Sequence, residues 1–162
     1  RQMRNLLIAA LFHDYNHTGK GGNGHLDEVN IERAIEGLRQ HLLGEDRRYF
    51  ETIANIIRGT EWPYKVKSEE LDPDTDLLIL ILRDADMSQA LSPAWIHQVV
   101  FGLAKELGVK AIEVLKWQPG FHAKLKFHTA WAQQEFPQSM IDAKIKEAEE
   151  LIEILSRDLA VV

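Results

Sequence analysis

Residues 72–88 run Asp-Pro-Asp-Thr-Asp-Leu-Leu-Ile-Leu-Ile-Leu-Arg-Asp-Ala-Asp-Met-Ser, and the fold turns on whether the apolar run at 77–82 is a strand or a helix. Six consecutive Leu and Ile residues have the length of a buried strand, so the run by itself decides nothing. The flanks decide it. Asp72-Pro73 is a helix start with proline at the first helical position. Asp74 and Asp76 place negative charge in a first turn, where the helix dipole favours it. No Gly, Asn or Pro cluster brackets the run as a strand would require. We read a central helix, apolar on all sides.

Working outward, the other segments repeat at helical spacing. A first helix is expected over residues 2–13, with Leu6, Leu7, Ala10 and Leu11 on its inner face, stopping at Asn16-His17-Thr18-Gly19. A glycine-rich loop follows over residues 20–24. Asp27 caps a second helix to about Leu43, with Val29, Ile31, Ala34, Ile35 and Leu38 inward and Gly44 as its closing glycine. Asp46 opens a third, with Phe50, Ile53, Ala54 and Ile57 three or four apart, and residues 60–72 form a polar loop. Ser92-Pro93 starts a fifth helix that ends at Gly108. A helical stretch broken at Pro119-Gly120 extends to Phe136, and a last helix spans residues 138–159 with Ile141, Ile145, Ala148, Ile152 and Leu155 inward. No segment alternates as a half-buried strand does. The expected fold class is an all-α, single-domain helical bundle over residues 1–162.

Composition narrows the function. The chain has 162 residues, 45% of them hydrophobic, enough for a true core. With 25 acidic and 19 basic residues the formal charge is −6, which argues against a surface for duplex nucleic acid while leaving room for a local phosphate pocket. There is no cysteine, so thiolate chemistry and disulfides are excluded and a reducing, cytoplasmic setting is expected. The apolar runs are too short to cross a bilayer. The long C-terminal helix offers a face for homodimer formation.

The residues that carry chemistry are Phe12-His13-Asp14-Tyr15-Asn16-His17-Thr18-Gly19 and Asp84-Ala85-Asp86-Met87-Ser88. An imidazole beside a carboxylate at a helix end can reach one cation if the backbone turns there. By itself an adjacent His-Asp pair is common. The second segment raises its weight, because it puts two carboxylates at the C-terminal end of the most apolar helix. There the helix dipole disfavours negative charge and burial requires a partner. Residues two apart lie on different sides of a helix, so at most one of Asp84 and Asp86 faces inward.

Together these segments resemble the HD superfamily of metal-dependent phosphohydrolases, whose pattern is H…HD…D on the helices of a bundle. His13-Asp14 match the adjacent pair and Asp86 the final aspartate. The catalytic domains of cyclic nucleotide phosphodiesterases are the nearer likeness: His13, Asp14, His17 and Gly19 follow their His-Asp-x-x-His-x-Gly, and Ala85-Asp86-Met87-Ser88 is similar to their Cys-Asp-Leu-Ser. The resemblance covers the first half of the chain. It implies one or two divalent ions (Mg, Mn, Zn, Fe or Ni), ligated by His13 and Asp86 and bridged by Asp14. A hydroxide generated there would attack the phosphorus of a small phosphate ester, a nucleotide or cyclic nucleotide. His17 would contact the phosphate or support the ligands. The family has a further metal-binding His some tens of residues upstream, where only 12 residues precede His13. The expectation is that an N-terminal portion is absent, or else that the site is assembled otherwise, with His25 as the substitute ligand.

Thr60 and Trp62, beside Pro63 and Tyr64, are candidates to line a substrate pocket, although aromatics that anchor a loop are the commoner case. The run His122, Lys124, Lys126 and His128 is expected to be a solvated face, as are Lys144, Lys146 and Glu147; His41 and His97 are expected to be structural. Two rivals remain at this point. The spacing His13-x-x-x-His17 parallels the zinc-protease pattern, which requires a continuous helix through both residues that Asn16 and Gly19 oppose. The other is an HD-fold ligand-binding or interaction domain without catalysis.

Overall fold

The computed structural model describes residues 1–17, 26–62 and 71–159. Among these residues there is no strand, and the chain is an all-α bundle as expected. It divides into two compact units, residues 1–83 and 84–162. No helix among the described residues is long and apolar enough to cross a membrane.

The first unit contains α1 (Gln2–Phe12), α2 (Leu26–His41), a 3-10 helix (Gly44–Tyr49), α3 (Phe50–Arg58) and most of α4 (Pro73–Ser88). Its core is Leu6 and Ala9 of α1; Ile31, Ala34, Ile35 and Leu38 of α2; Ile53, Ala54, Ile56 and Ile57 of α3; and Leu78, Ile79 and Leu82 of α4. α3 packs on both α1 and α2. The apolar run at 77–82 is helical, and Asp72 caps it: its carboxylate accepts the Thr75 backbone N–H at 2.9 Å and the Thr75 hydroxyl at 2.6 Å.

Several inward faces differ from the sequence reading. Leu7 and Leu11 are 62% and 76% exposed, while Asn5, Leu6 and Ala9 are buried. The run from Leu6 to Phe12 is apolar on every side and has no phase for periodicity to fix, so its neighbours choose the face. Val29 of α2 is exposed as well, where an inward position was expected. α2 ends at His41, and Gly44, at φ +59°, opens the 3-10 helix instead of closing α2. Asp46 lies inside that 3-10 helix, buried, where it receives Arg1 and Arg4.

The second unit continues from the end of α4 through a 3-10 turn (Gln89–Leu91), a π-helix (Ile96–Phe101), α5 (Gly102–Leu107), α6 (Ala111–His122), α7 (Ala130–Glu135) and α8 (Gln138–Leu159). The fifth predicted helix is thus a π-helix followed by one short α-helix, closed by Gly108 in the left-handed conformation at φ +67°. α6 runs straight through Pro119 and Gly120, where a break was expected. Proline removes one donor to the carbonyl four residues back, and three helical residues follow it before the helix ends.

His122 is fully buried, contrary to its expected place on a solvated face. Its Nδ1 lies 2.8 Å from the Gln118 carbonyl oxygen and its Nε2 3.0 Å from that of Ala90, and Trp95 and Phe121 meet it edge to face. Lys144 and Glu147 pair at 2.7 Å, half-covered beside Trp95, so they too are not simple surface residues. Lys124, Lys126 and Lys146 are exposed as expected. On α8, Ile141 and Ala148 are buried, but Leu155 is exposed.

Candidate metal centre

The end of α1 sets the geometry. Its buried face runs through Asn5 and Ala9, and the next residue in that row, four positions on, is His13. His13 therefore points the way the core residues do, and is half-buried. The chain then turns sharply: Tyr15 N–H donates to the Phe12 carbonyl, His17 N–H to that of Asp14, and Asn16 takes φ +59°, a conformation asparagine tolerates. Tyr15 anchors the turn. Its ring lies where a Cβ on Gly37 would sit, so only glycine at that position of α2 admits it, and its hydroxyl is 3.1 Å from His41 Nε2. The anchored turn leaves Asp14 outward, its side chain 70% exposed.

α4 supplies the remaining group. Leu82 sits in the core of the first unit, and Asp86 lies one helical turn beyond it on the same face of the same unbroken helix. Asp84, two residues earlier, faces elsewhere. It is 3% exposed, and its two oxygens accept the backbone N–H groups of His128 and Thr129 at 2.8 Å each. The paired carboxylates thus have separate tasks: Asp84 organises backbone, and Asp86 joins His13 and Asp14.

One ligand atom from each of His13, Asp14 and Asp86 lies within 4.8 Å of the other two. Ligands bonded at roughly 2.0–2.2 Å to one ion stand about 3–4 Å apart. The tautomer fits as well. His13 Nδ1 is 2.8 Å from the Ala10 carbonyl oxygen, which can only accept, so Nδ1 carries the proton and a neutral ring has its lone pair on Nε2. That nitrogen is 3.3 Å from Asp14 Oδ2. Two lone pairs facing each other repel unless a cation or a proton lies between them. A backbone carbonyl orienting the imidazole is the usual support behind a metal-bound histidine.

The other predicted residues fall as follows. His17 Nε2 is 2.8 Å from Asn30 Nδ2, an amide donor, which ties the turn to α2 and leaves the ring proton on Nδ1. His25 lies outside the described residues, as do Thr18, Gly19, the glycine-rich loop, Pro63 and Tyr64. The Thr60 hydroxyl donates to the Ile57 carbonyl at 2.7 Å, finishing α3. Trp62 is 46% exposed, and its backbone N–H donates to Asp27. Asp27 is the residue that sequence reasoning missed as part of this region, having assigned it only a cap. Burial raises its proton affinity above the ordinary carboxylate range, and nearby Glu61 and Asp14 raise it further, against the lowering effects of the Trp62 N–H and of His17. An acid three residues past a glycine-rich loop that follows the His-Asp segment was the available signal.

Searches against protein-family models, curated proteins and solved structures find no match for this chain.

Proposed function

We propose that the protein is a metal-dependent phosphohydrolase of HD type that cleaves a small phosphate ester, a nucleotide or cyclic nucleotide. The observation that carries this reading is the convergence of His13, Asp14 and Asp86 ligand atoms within 4.8 Å, with the His13 ring oriented by the Ala10 carbonyl so that Nε2 is the ligating atom. In this reading those three side chains hold one divalent ion, and exposed Asp14 has a second oxygen for a neighbouring ion. The bound metal supplies Lewis acidity toward the phosphate and an acidified water for attack on phosphorus. His17, held by Asn30 with its proton on Nδ1, donates to a phosphate oxygen and steadies the developing charge. The absence of cysteine suits a cytoplasmic enzyme whose site uses only nitrogen and oxygen donors.

The test is metal content by mass spectrometry, with turnover of a panel of phosphomonoesters and cyclic phosphodiesters, for wild type and Asp86→Ala. Expected are at least one bound divalent ion per chain and turnover with added Mn²⁺, both lost in the variant while its helical content persists. Wild-type protein that folds, retains no divalent metal and turns over no ester would replace the enzyme with a ligand-binding domain.

A further inference from the structure

We propose that a cavity alongside α1 is a binding site for a small organic monoanion, a carboxylate on an apolar body, separate from the metal centre. The cavity has a volume of about 500 Å³ and lies within the first unit. That is the size of a small-molecule site. Its lining comes from α1, the end of α2 and the start of the 3-10 helix, and none of His13, Asp14 and Asp86 belongs to it. On α1 the lining residues are Arg1, Arg4, Ile8 and Phe12, three or four apart and so on one face. That face is cationic at one end and apolar at the other.

The cationic end carries more positive charge than it balances. Arg4 donates to both Asp46 oxygens, from Nε at 2.9 Å and from an amino group at 2.7 Å, and Arg1 donates to the same carboxylate. One carboxylate neutralises one guanidinium, and each guanidinium has N–H donors beyond those that Asp46 takes. Glu45, also in the lining, is exposed and pairs with Arg48 at 3.5 Å. The Arg1 guanidinium lies over the Tyr49 ring, 3.8 Å from its centroid, which fixes it in place. At the apolar end the Phe12 ring stacks with His41, itself held by the Tyr15 hydroxyl, and Leu43 is 69% exposed. In a chain of formal charge −6, a positive excess beside an apolar wall favours an anion with an apolar body. A planar carboxylate matches the guanidinium fork. A single excess charge suits a monoanion, since a dianionic phosphate would leave negative charge unbalanced beside Asp46 and Glu45.

The experiment titrates metal-free protein, dialysed against EDTA, with phenylacetate, and follows the backbone amide signals by NMR. Phenylethanol supplies the ring without the charge, and acetate the charge without the ring. Phenylacetate should give saturable shifts at the amides of Ile8, Phe12, Leu43 and Gly44. It should bind about tenfold more tightly than either control, the size of one charge-assisted contact. Leu43→Glu adds a carboxylate at an exposed lining position outside the core. It should weaken phenylacetate by about tenfold and leave phenylethanol within about twofold. Arg4→Met keeps the stem and removes the charge, with the same expected effect. Circular dichroism shows whether each variant folds, and Leu43→Glu decides alone if Arg4→Met does not. The proposal is overturned if phenylacetate shifts are absent or scattered over the surface. It is equally overturned if a control binds as tightly, or if Leu43→Glu keeps wild-type affinity. With the metal removed, none of these outcomes depends on the phosphohydrolase reading.

Discussion

In Asp84→Ala, the backbone N–H groups of His128 and Thr129 lose the carboxylate oxygens that accept them at 2.8 Å. The residue is 3% exposed, so water cannot easily replace the lost acceptor. Hydrogen bonds to a charged group contribute about 1.5–3 kcal/mol each by mutation. The pair shares one carboxylate and is not additive, and removing the buried charge returns part of the loss. We therefore expect Asp84→Ala to cost about 3 kcal/mol, a fall in Tm of roughly 6–12 °C for a chain of this size. Asp84→Asn keeps one acceptor and turns an amide N–H₂ toward the other donor, for a cost of about 2 kcal/mol. Asp86→Ala, two residues on, should change the stability of metal-free protein by no more than about 0.5 kcal/mol, because it removes a carboxylate from the negative end of a helix. Urea unfolding followed by circular dichroism in EDTA reads all three. The division of labour between the two aspartates is refuted if Asp84→Ala lies within 1 kcal/mol of wild type, or if Asp86→Ala costs as much as Asp84→Ala.

Two further outcomes follow from the packing and the charges. Gly59→Ala directs a methyl into the Ile79 side chain; despite alanine's better helix propensity, thermal unfolding should show a loss of about 1–3 kcal/mol from overpacking. Asp46 is held below the ordinary carboxylate range by its hydrogen bond to Arg4, then by Arg1. A lowered folded value means its stabilisation is present above the unfolded carboxylate value, about 4, and is lost as pH falls through the folded one. Asp46→Asn should accordingly be less stable than wild type at pH 7 and converge on it in strong acid. A gap that persists unchanged to pH 2 would contradict the ion pair.

What the sequence determined by itself is local. Helix type followed from spacing and end signals: Asp72-Pro73 and its Thr75 contacts at the start of α4, Gly108 after α5, and the 138–159 periodicity all rest on interactions within a few residues. The same holds for the candidate ligands, since His13, Asp14 and Asp86 stood out by their neighbours in the chain. What only the tertiary structure decided is which way each side chain faces. Leu7 and Leu11 are outward and Asn5 inward, because the run from Leu6 to Phe12, apolar on every side, carries no phase of its own. Likewise His122 is buried against carbonyls of two separate elements, Asp84 rather than Asp86 takes the backbone donors, and Asp27 meets Trp62 across 35 residues. Such pairings are set by packing free energy summed over many distant contacts, and no window of sequence contains them.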